Sequence, residues 1–271
     1  MDGLLLCDKP IGWTSHDVDV VVRRTLRAAR GQRARVGHAG TLDPFATGLL
    51  LILLGRGTRV QRFMLALPKT YEVVARFGAV SDTGDPEGEI TETGVIPDGD
   101  LTLPVGEVRQ RPPAYSAIRI GGRRAFKMAR AGETFDIPER TVVVHRFEEL
   151  WRDGTRRAFV IECSSGTYVR SLIAALGDAY CEELRRTEIG PFRVADAGPP
   201  DDLDRLLPLE QALAFLPRVE LAAEEARMAS HGRPVPGEGD GPTLLVDGDG
   251  PLAIAEPTTD GTLRPVVGFR G

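Results

Sequence analysis

Gly37-His-Ala-Gly-Thr-Leu-Asp-Pro-Phe-Ala-Thr-Gly48 runs without a break into Leu49-Leu-Leu-Ile-Leu-Leu54. The second half is a strand-sized apolar run, far short of the roughly 20 residues that span a bilayer. The first half is a stiff loop with few side chains. Gly37 and Gly40 allow unusual backbone angles, and Pro44 biases Asp43 toward an extended conformation. Working outward, Gly3–Asp8, Lys69–Ala79, Tyr115–Ile120, Val142–Phe147 and Ala158–Cys163 read as strands. Thr14-Ser-His-Asp17 supplies caps for a helix over Val18–Leu26, and Arg123–Ala131 and Ser171 to about Tyr180 also read as helices. Strands interrupted by a few helices predict an α+β fold with a large, mostly antiparallel sheet.

A composition shift starts near Asp196. Ala197-Gly-Pro-Pro-Asp-Asp202 is linker-like, and Leu206–Leu216 reads as a short helix punctuated by Pro208 and Pro217. Thr243–Val246, Leu252–Ala255 and Pro265–Phe269 are brief apolar segments between Gly and Pro, which suits a small β-barrel-like appendage. The expected division is 1–195, a linker with a short helix at 196–218, and 219–271.

The chain of 271 residues carries a formal net charge of −5, unevenly placed. Residues 1–70 hold 11 Lys and Arg against 5 Asp and Glu, and residues 105–131 hold 7 against 1. Two basic regions in an acidic protein can form a local footprint for a polyanion, although charge runs also occur as solvated faces. Cys7, Cys163 and Cys181 lack metal-ligand spacing and suit buried positions in a reducing compartment. No secretory signal, Walker loop or G-x-S-x-G elbow is present, and the four His are not spaced like a zinc site.

Three constellations could carry chemistry. Asp43 sits in the glycine-rich loop with His38; an Asp before Pro also fits an ordinary turn or cap. Arg170, closing Gly166-Thr-Tyr-Val-Arg170, could grip a carboxylate bidentately and keep it ionised, or form a structural ion pair. Tyr71 in Lys69-Thr-Tyr71 sets a ring beside a cation, or simply packs in its strand.

Seven motifs occur together and in order: Lys9-Pro-Ile-Gly-Trp-Thr-Ser15, Gly37–Pro44, Lys69–Tyr71, Asp82-Thr-Gly-Asp-Pro-Glu-Gly88, Arg111-Pro-Pro-Ala-Tyr-Ser-Ala117, Ser165–Arg170 and Leu184-Arg-Arg-Thr-Glu-Ile-Gly-Pro-Phe192. Over residues 3–195 this set resembles the TruB family of tRNA pseudouridine synthases. The resemblance implies an α+β catalytic domain with a bent, mixed, mostly antiparallel sheet and a small C-terminal PUA-like β domain. It implies cofactor-free and metal-free conversion of the T-loop uridine at tRNA position 55 to pseudouridine. Asp43 would be catalytic. Tyr71 would stack on the base and Arg170 would pair with Asp43. Leu184 would line the pocket, Lys9 would support the core motif, His38 would face the displaced RNA loop, and Tyr168 would belong to the substrate site. The expected partner is the T-arm of tRNA, met by a cytoplasmic monomer needing no protein partner and no membrane. Competing readings are a guide-RNA-dependent relative, a tRNA-folding chaperone and a small-molecule glycosidase.

Overall fold

The computed structural model describes residues 2–31, 34–116 and 118–270. Residues 32 and 33 of the first basic region, and Ala117 of the Arg111–Ala117 motif, lie outside the described residues. The centre is a ten-stranded sheet. Its main path runs Leu207–Pro208, Gly3–Lys9, Thr47–Leu54, Ala179–Ile189, Lys69–Phe77, Arg156–Cys163, Arg140–Asp153 and Gly106–Gln110. Val36–Ala39 pairs with Thr47–Leu54, and Phe192–Arg193 with Ala179–Ile189. Every pairing is antiparallel except one, where Arg185 and Arg186 run parallel to Thr47 and Gly48. The two halves of the sheet therefore meet over two residue pairs. Gly48 is required at that seam: its φ is +102°, and an added Cβ would lie 2.2 Å from the Arg186 carbonyl oxygen.

The Leu49–Leu54 run is continuous because the strand is buried on both faces. Leu50, Ile52 and Leu54 meet Val18, Val22 and Leu26 of the helix Ser15–Arg30. Those three apolar positions recur every fourth residue, as one face of a helix requires. Thr14 and Asp17 close a capping box at its start, as expected from the sequence. Leu49, Leu51 and Leu53 face the other way, toward Phe63, Met64, Leu213 and, from the C-terminal segment, Leu244, Ile254 and Phe269. That segment forms a second, five-stranded sheet ordered Arg218–Glu220, Thr243–Asp247, Gly250–Pro257, Thr262–Gly268 and Val235–Pro236, with the helix Ala223–Ser230.

Several expected elements change. The helix expected from Ser171 to Tyr180 spans only Val169–Ala174, and Ala179–Ile189 is a central strand. Gly177 at φ +139° ends the turn, and pairing with Lys69–Phe77 overrides local helix propensity. Of Tyr115–Ile120 only Arg119–Ile120 pairs, in a hairpin with Arg123–Arg124. Gly121 and Gly122 both take positive φ there, the requirement of a tight hairpin turn, so the next helix begins at Ala125 rather than Arg123. Leu206–Leu216 splits into an edge pairing at Leu207–Pro208 and one turn of helix at Leu209–Ala212. No described helix is long and apolar enough to cross a membrane.

Candidate active site

Asp43 sits on the loop between Val36–Ala39 and Thr47–Leu54. The loop is fixed from below. Ser15 Oγ donates to the Leu42 carbonyl at 3.2 Å and accepts from the Leu42 N–H at 2.9 Å. Lys9 is buried, and its Nζ donates to the carbonyls of Trp13 (2.6 Å), Pro10 (3.0 Å) and Pro44 (3.2 Å). Gly12 N–H adds a bond to Pro44 O at 2.8 Å. Lys9 thus ties the first motif to the Asp43 loop, and burial pulls its pKa down to about 8.

Arg170 enters from the helix Val169–Ala174. Gln110 steadies the start of that helix, accepting from Tyr168 N–H and donating to Tyr168 O, both at 2.8 Å. The Arg170 side chain is buried and saturated: Nη1 reaches Asp85 Oδ2 and Thr83 O at 2.7 Å each, and Nη2 reaches Tyr115 O at 2.9 Å. Asp43 Oδ2 lies 3.0 Å from the same Nη2. The contact is monodentate, a correction to the bidentate grip that the sequence allows, because Asp85 occupies the other nitrogen. Asp85 is held by Thr83 Oγ1 at 2.6 Å and Glu87 N–H at 3.1 Å. About 35% of the Asp43 side chain is exposed, and it lines a cleft. Burial raises the Asp43 pKa above the ordinary value. Arg170 and Lys9 pull it down and Asp85 pushes it up, and the net direction is upward.

Beside Asp43 opens a cavity of about 290 Å³. Tyr71, Leu184, Arg186, Tyr168, Ser116 and Lys69 all line it. The sheet brings three of these together: Tyr71 is the register partner of Arg186, and Leu184 stands two residues along the same strand. Tyr71 is nearly buried close to Arg186, and burial raises its pKa. Ser116 Oγ is buried with no hydrogen-bond partner among the described residues. The Tyr168 ring is covered by the Arg140 guanidinium, 5.1 Å from its centroid. His38 stands farther out, with Nδ1 3.0 Å from Asp19 and Nε2 3.3 Å from Thr41 Oγ1. It borders a second, wider cleft of about 1050 Å³ that also contains Asp43. Arg119, Arg123, Arg124, Lys127 and Arg130 line that cleft together with Asp82, Asp85, Glu87 and Glu89, so the second basic region of the sequence shares it with Asp43.

Asp43 is the one carboxylate that lines both the smaller cavity and the wider cleft bordered by the second basic region, and this agrees with what the comparisons find. The model of the TruB family pseudouridylate synthase N-terminal domain matches residues 23–169. The chain belongs to the TruB family of pseudouridine synthases. It is 41% identical to tRNA pseudouridine synthase B of Thermobifida fusca, over 100% of this chain and 99% of that protein. It is 42% identical to the Corynebacterium aurimucosum protein of the same name, over 85% and 83%. Among solved structures, a Cbf5–Nop10–Gar1 complex is similar with a TM-score of 0.70 and 26% identity, covering 94% of this chain and 78% of that one. An H/ACA RNP bound to a substrate RNA shares the fold at TM-score 0.72 and 23% identity, over 99% and 85%.

Two residues of this TruB-family site were not singled out in the sequence, although both lie in quoted motifs. Asp85 reads as one of several acidic residues in a polar turn. Arg186 reads like its neighbour Arg185, yet Arg185 is partly exposed and pairs with Asp8, whereas Arg186 is 1% exposed. Strand alternation, which sends neighbours to opposite faces, is the signal that separates them once the strand is known.

Proposed function

We propose that this enzyme converts the uridine at position 55 of the tRNA T-loop to pseudouridine, using Asp43 and no cofactor. The observation that carries the reading is the placement of Asp43, paired with buried Arg170, on the lining of both the smaller cavity and the wider cleft. The target uracil leaves its loop, at a cost of a few kcal/mol. Tyr71 stacks on it, an interaction worth about 1–3 kcal/mol per base, and Leu184 packs on the other side. His38 meets the RNA loop left behind, and Tyr168 closes the cavity. Asp43 then attacks C1′ or removes the 2′ proton, the C1′–N1 bond breaks, the uracil turns, and C5 joins C1′ before losing its proton. Every atom of the substrate is kept, so the chemistry calls for no outside oxidant or reductant. Enclosure keeps water from the detached base. Residues 1–195 hold this chemistry, 196–218 connect, and 219–271 serve as a small PUA-like RNA-binding domain; help with tRNA folding would use the same cleft.

The test is to incubate the protein alone with unmodified tRNA and map pseudouridine. Product at the T-loop uridine, lost in Asp43→Asn while tRNA still binds, is the expected result. Product only after partner proteins or a guide RNA are added would favour the second reading, suggested by solved relatives that occur in multi-component complexes.

A further inference from the structure

Arg186 is one of the largest fully buried side chains in the protein, and no carboxylate among the described residues pairs with it. Its Nε donates to Leu49 O at 2.8 Å and its Nη2 to Gly40 O at 2.9 Å. Both partners are neutral. A buried guanidinium without an anion is costly, and proteins normally supply one. Here a second cation adds to the imbalance. Lys69, also lining the cavity, is buried and gives its Nζ to the carbonyls of Leu65 and Leu67, with no carboxylate. Arg170, which lines the same cavity, is by contrast matched by both Asp43 and Asp85. Of the cations lining the cavity, Arg170 has carboxylate partners, whereas Arg186 and Lys69 have none among the described residues. The Gly40 backbone packs close against the guanidinium: an added Cβ would lie 3.5 Å from Arg186 Nη1.

We infer that Arg186 is the group that balances the negative charge of the uracil once it is detached from the ribose. The inference rests on the function proposed above and deepens it. When the C1′–N1 bond breaks, its electron pair leaves with the base. If Asp43 attacks C1′, the carboxylate becomes a neutral ester; if Asp43 takes the 2′ proton, it becomes a neutral acid. On either route one negative charge disappears from Asp43 and one appears on the uracil ring. The charge leaves the carboxylate beside Arg170 and appears on a base that shares the cavity with Arg186 and Lys69. A cation fixed there in advance, on backbone carbonyls of the seam, stabilises the product of that step without reorganising. When C5 bonds to C1′ the base becomes neutral again, so Arg186 acts on the intermediate and not on the substrate or the product.

The test compares two tRNA substrates, one with uridine and one with 5-fluorouridine at the target position. Fluorine withdraws electrons and stabilises the detached base by itself, so the protein cation matters less. The readout is single-turnover loss of the N-linked nucleoside, which does not depend on later removal of the C5 proton. Arg186→Gln removes the charge while keeping an amide nitrogen near the position of Nε as a donor for Leu49 O. It should slow cleavage of the uridine substrate by about 10²-fold or more, the scale of deleting one preorganised electrostatic donor. The loss on the fluorinated substrate should be at least about tenfold smaller, with tRNA Kd changed by less than about threefold. If Arg186→Gln shows no melting transition, Arg186→Lys is read instead; it keeps the charge but not the fork, and its smaller deficit must also shrink on the fluorinated substrate. Equal fold-losses on the two substrates, or a loss explained by Kd alone, would overturn the inference while leaving the function intact. A parent protein that makes no pseudouridine would instead overturn the function.

Discussion

Arg170 touches Asp43 through one nitrogen only, Nη2 to Oδ2 at 3.0 Å, while its Nη1 is committed to Asp85 at 2.7 Å. The arginine is therefore a shared bracket. It locates Asp43, but it is already balanced by a second carboxylate and does not hold the Asp43 carboxyl below its ordinary range. Burial wins, and the carboxyl titrates high. The structure thus separates two jobs that a single Arg–Asp pair would merge: Arg170 fixes position, and ionisation depends on pH.

Arg170→Lys keeps the charge but cannot span Asp43, Asp85, Thr83 O and Tyr115 O together, because lysine presents one nitrogen instead of a planar fork. Single-turnover pseudouridine formation should fall by about 10²-fold or more, since misplacement of a reacting group by about 1 Å costs that much. Arg170→Met should in addition lower the Tm markedly, because breaking a buried pair costs about 3–5 kcal/mol. Near-parental rates in the lysine variant would show that the fork is not needed.

Asp43→Asn should abolish turnover, with a loss beyond the roughly 10²–10⁴-fold of a general base. Its effect on stability has a definite sign. The folded pKa lies above the unfolded value of 3.8, so the native state binds its proton first. The cost of burying the charge is therefore fully present at neutral pH and gone once the pH falls below the unfolded value. At pH 7–8 the asparagine variant should melt at or above the parent, by about 1–3 °C, and the difference should vanish in acid. Thermal melts of both proteins across pH would decide; a variant less stable at neutral pH contradicts the account.

The same upward shift sets the acid limb of the rate profile. Activity should fall as pH drops through the raised Asp43 pKa, with a one-proton slope. Arg170→Met removes a group that lowers that pKa, so its residual activity should recover only at higher pH than the parent's. Coincident acid limbs in the two proteins would mean that another group controls them.

Tyr71→Phe keeps the ring and loses only the hydroxyl, whereas Tyr71→Leu loses the ring as well. The phenylalanine variant should bind tRNA within about threefold of the parent, and the leucine variant should lose about 1–3 kcal/mol of base stacking. Equal weakening by both substitutions, measured as Kd for unmodified tRNA, would exclude stacking as the role of Tyr71.

Much of this site was legible because its parts are local. The Asp43 loop, the Lys69-Thr-Tyr71 strand and the Arg170 motif each keep their residues within a few positions, and backbone chemistry such as Gly40 and Pro44 marks the loop directly. What stayed hidden is non-local. Asp85 matters because residues 83 and 85 fold against residue 170, and nothing in Asp82-Thr-Gly-Asp85 says which carboxylate turns inward. Ala179–Ile189 was read as partly helical because its place between Thr47–Leu54 and Lys69–Phe77 depends on partners more than a hundred residues away. Losing that strand also hid Arg186, whose burial follows only from its face. The second basic region lines the wider cleft, a position its charge alone does not give, and its helix begins two residues later than the sequence suggests.

Lys9 gives the last prediction. Its folded pKa is about 8 against 10.5 for the free side chain, because burial penalises the charge. Between those values the native state binds fewer protons than the unfolded chain, so this group's contribution makes stability rise with pH. The penalty is fully present below about pH 8 and is relieved as pH climbs toward 10.5. Lys9→Met removes that dependence, but it also strips donors from the carbonyls of Pro10 and Trp13, while Pro44 O keeps Gly12 N–H. The variant should therefore be less stable at neutral pH, by about 1–3 kcal/mol per buried acceptor left unpaired. Its melting temperature should then rise less, or fall more, than the parent's between pH 8 and 10. Lys9 also helps to lower the Asp43 pKa, so the acid limb of its rate profile should move to higher pH. Melting curves of the two proteins that stay parallel through this window would mean that Lys9 is not charged and buried as described, and an unmoved acid limb would remove it from the electrostatics of Asp43.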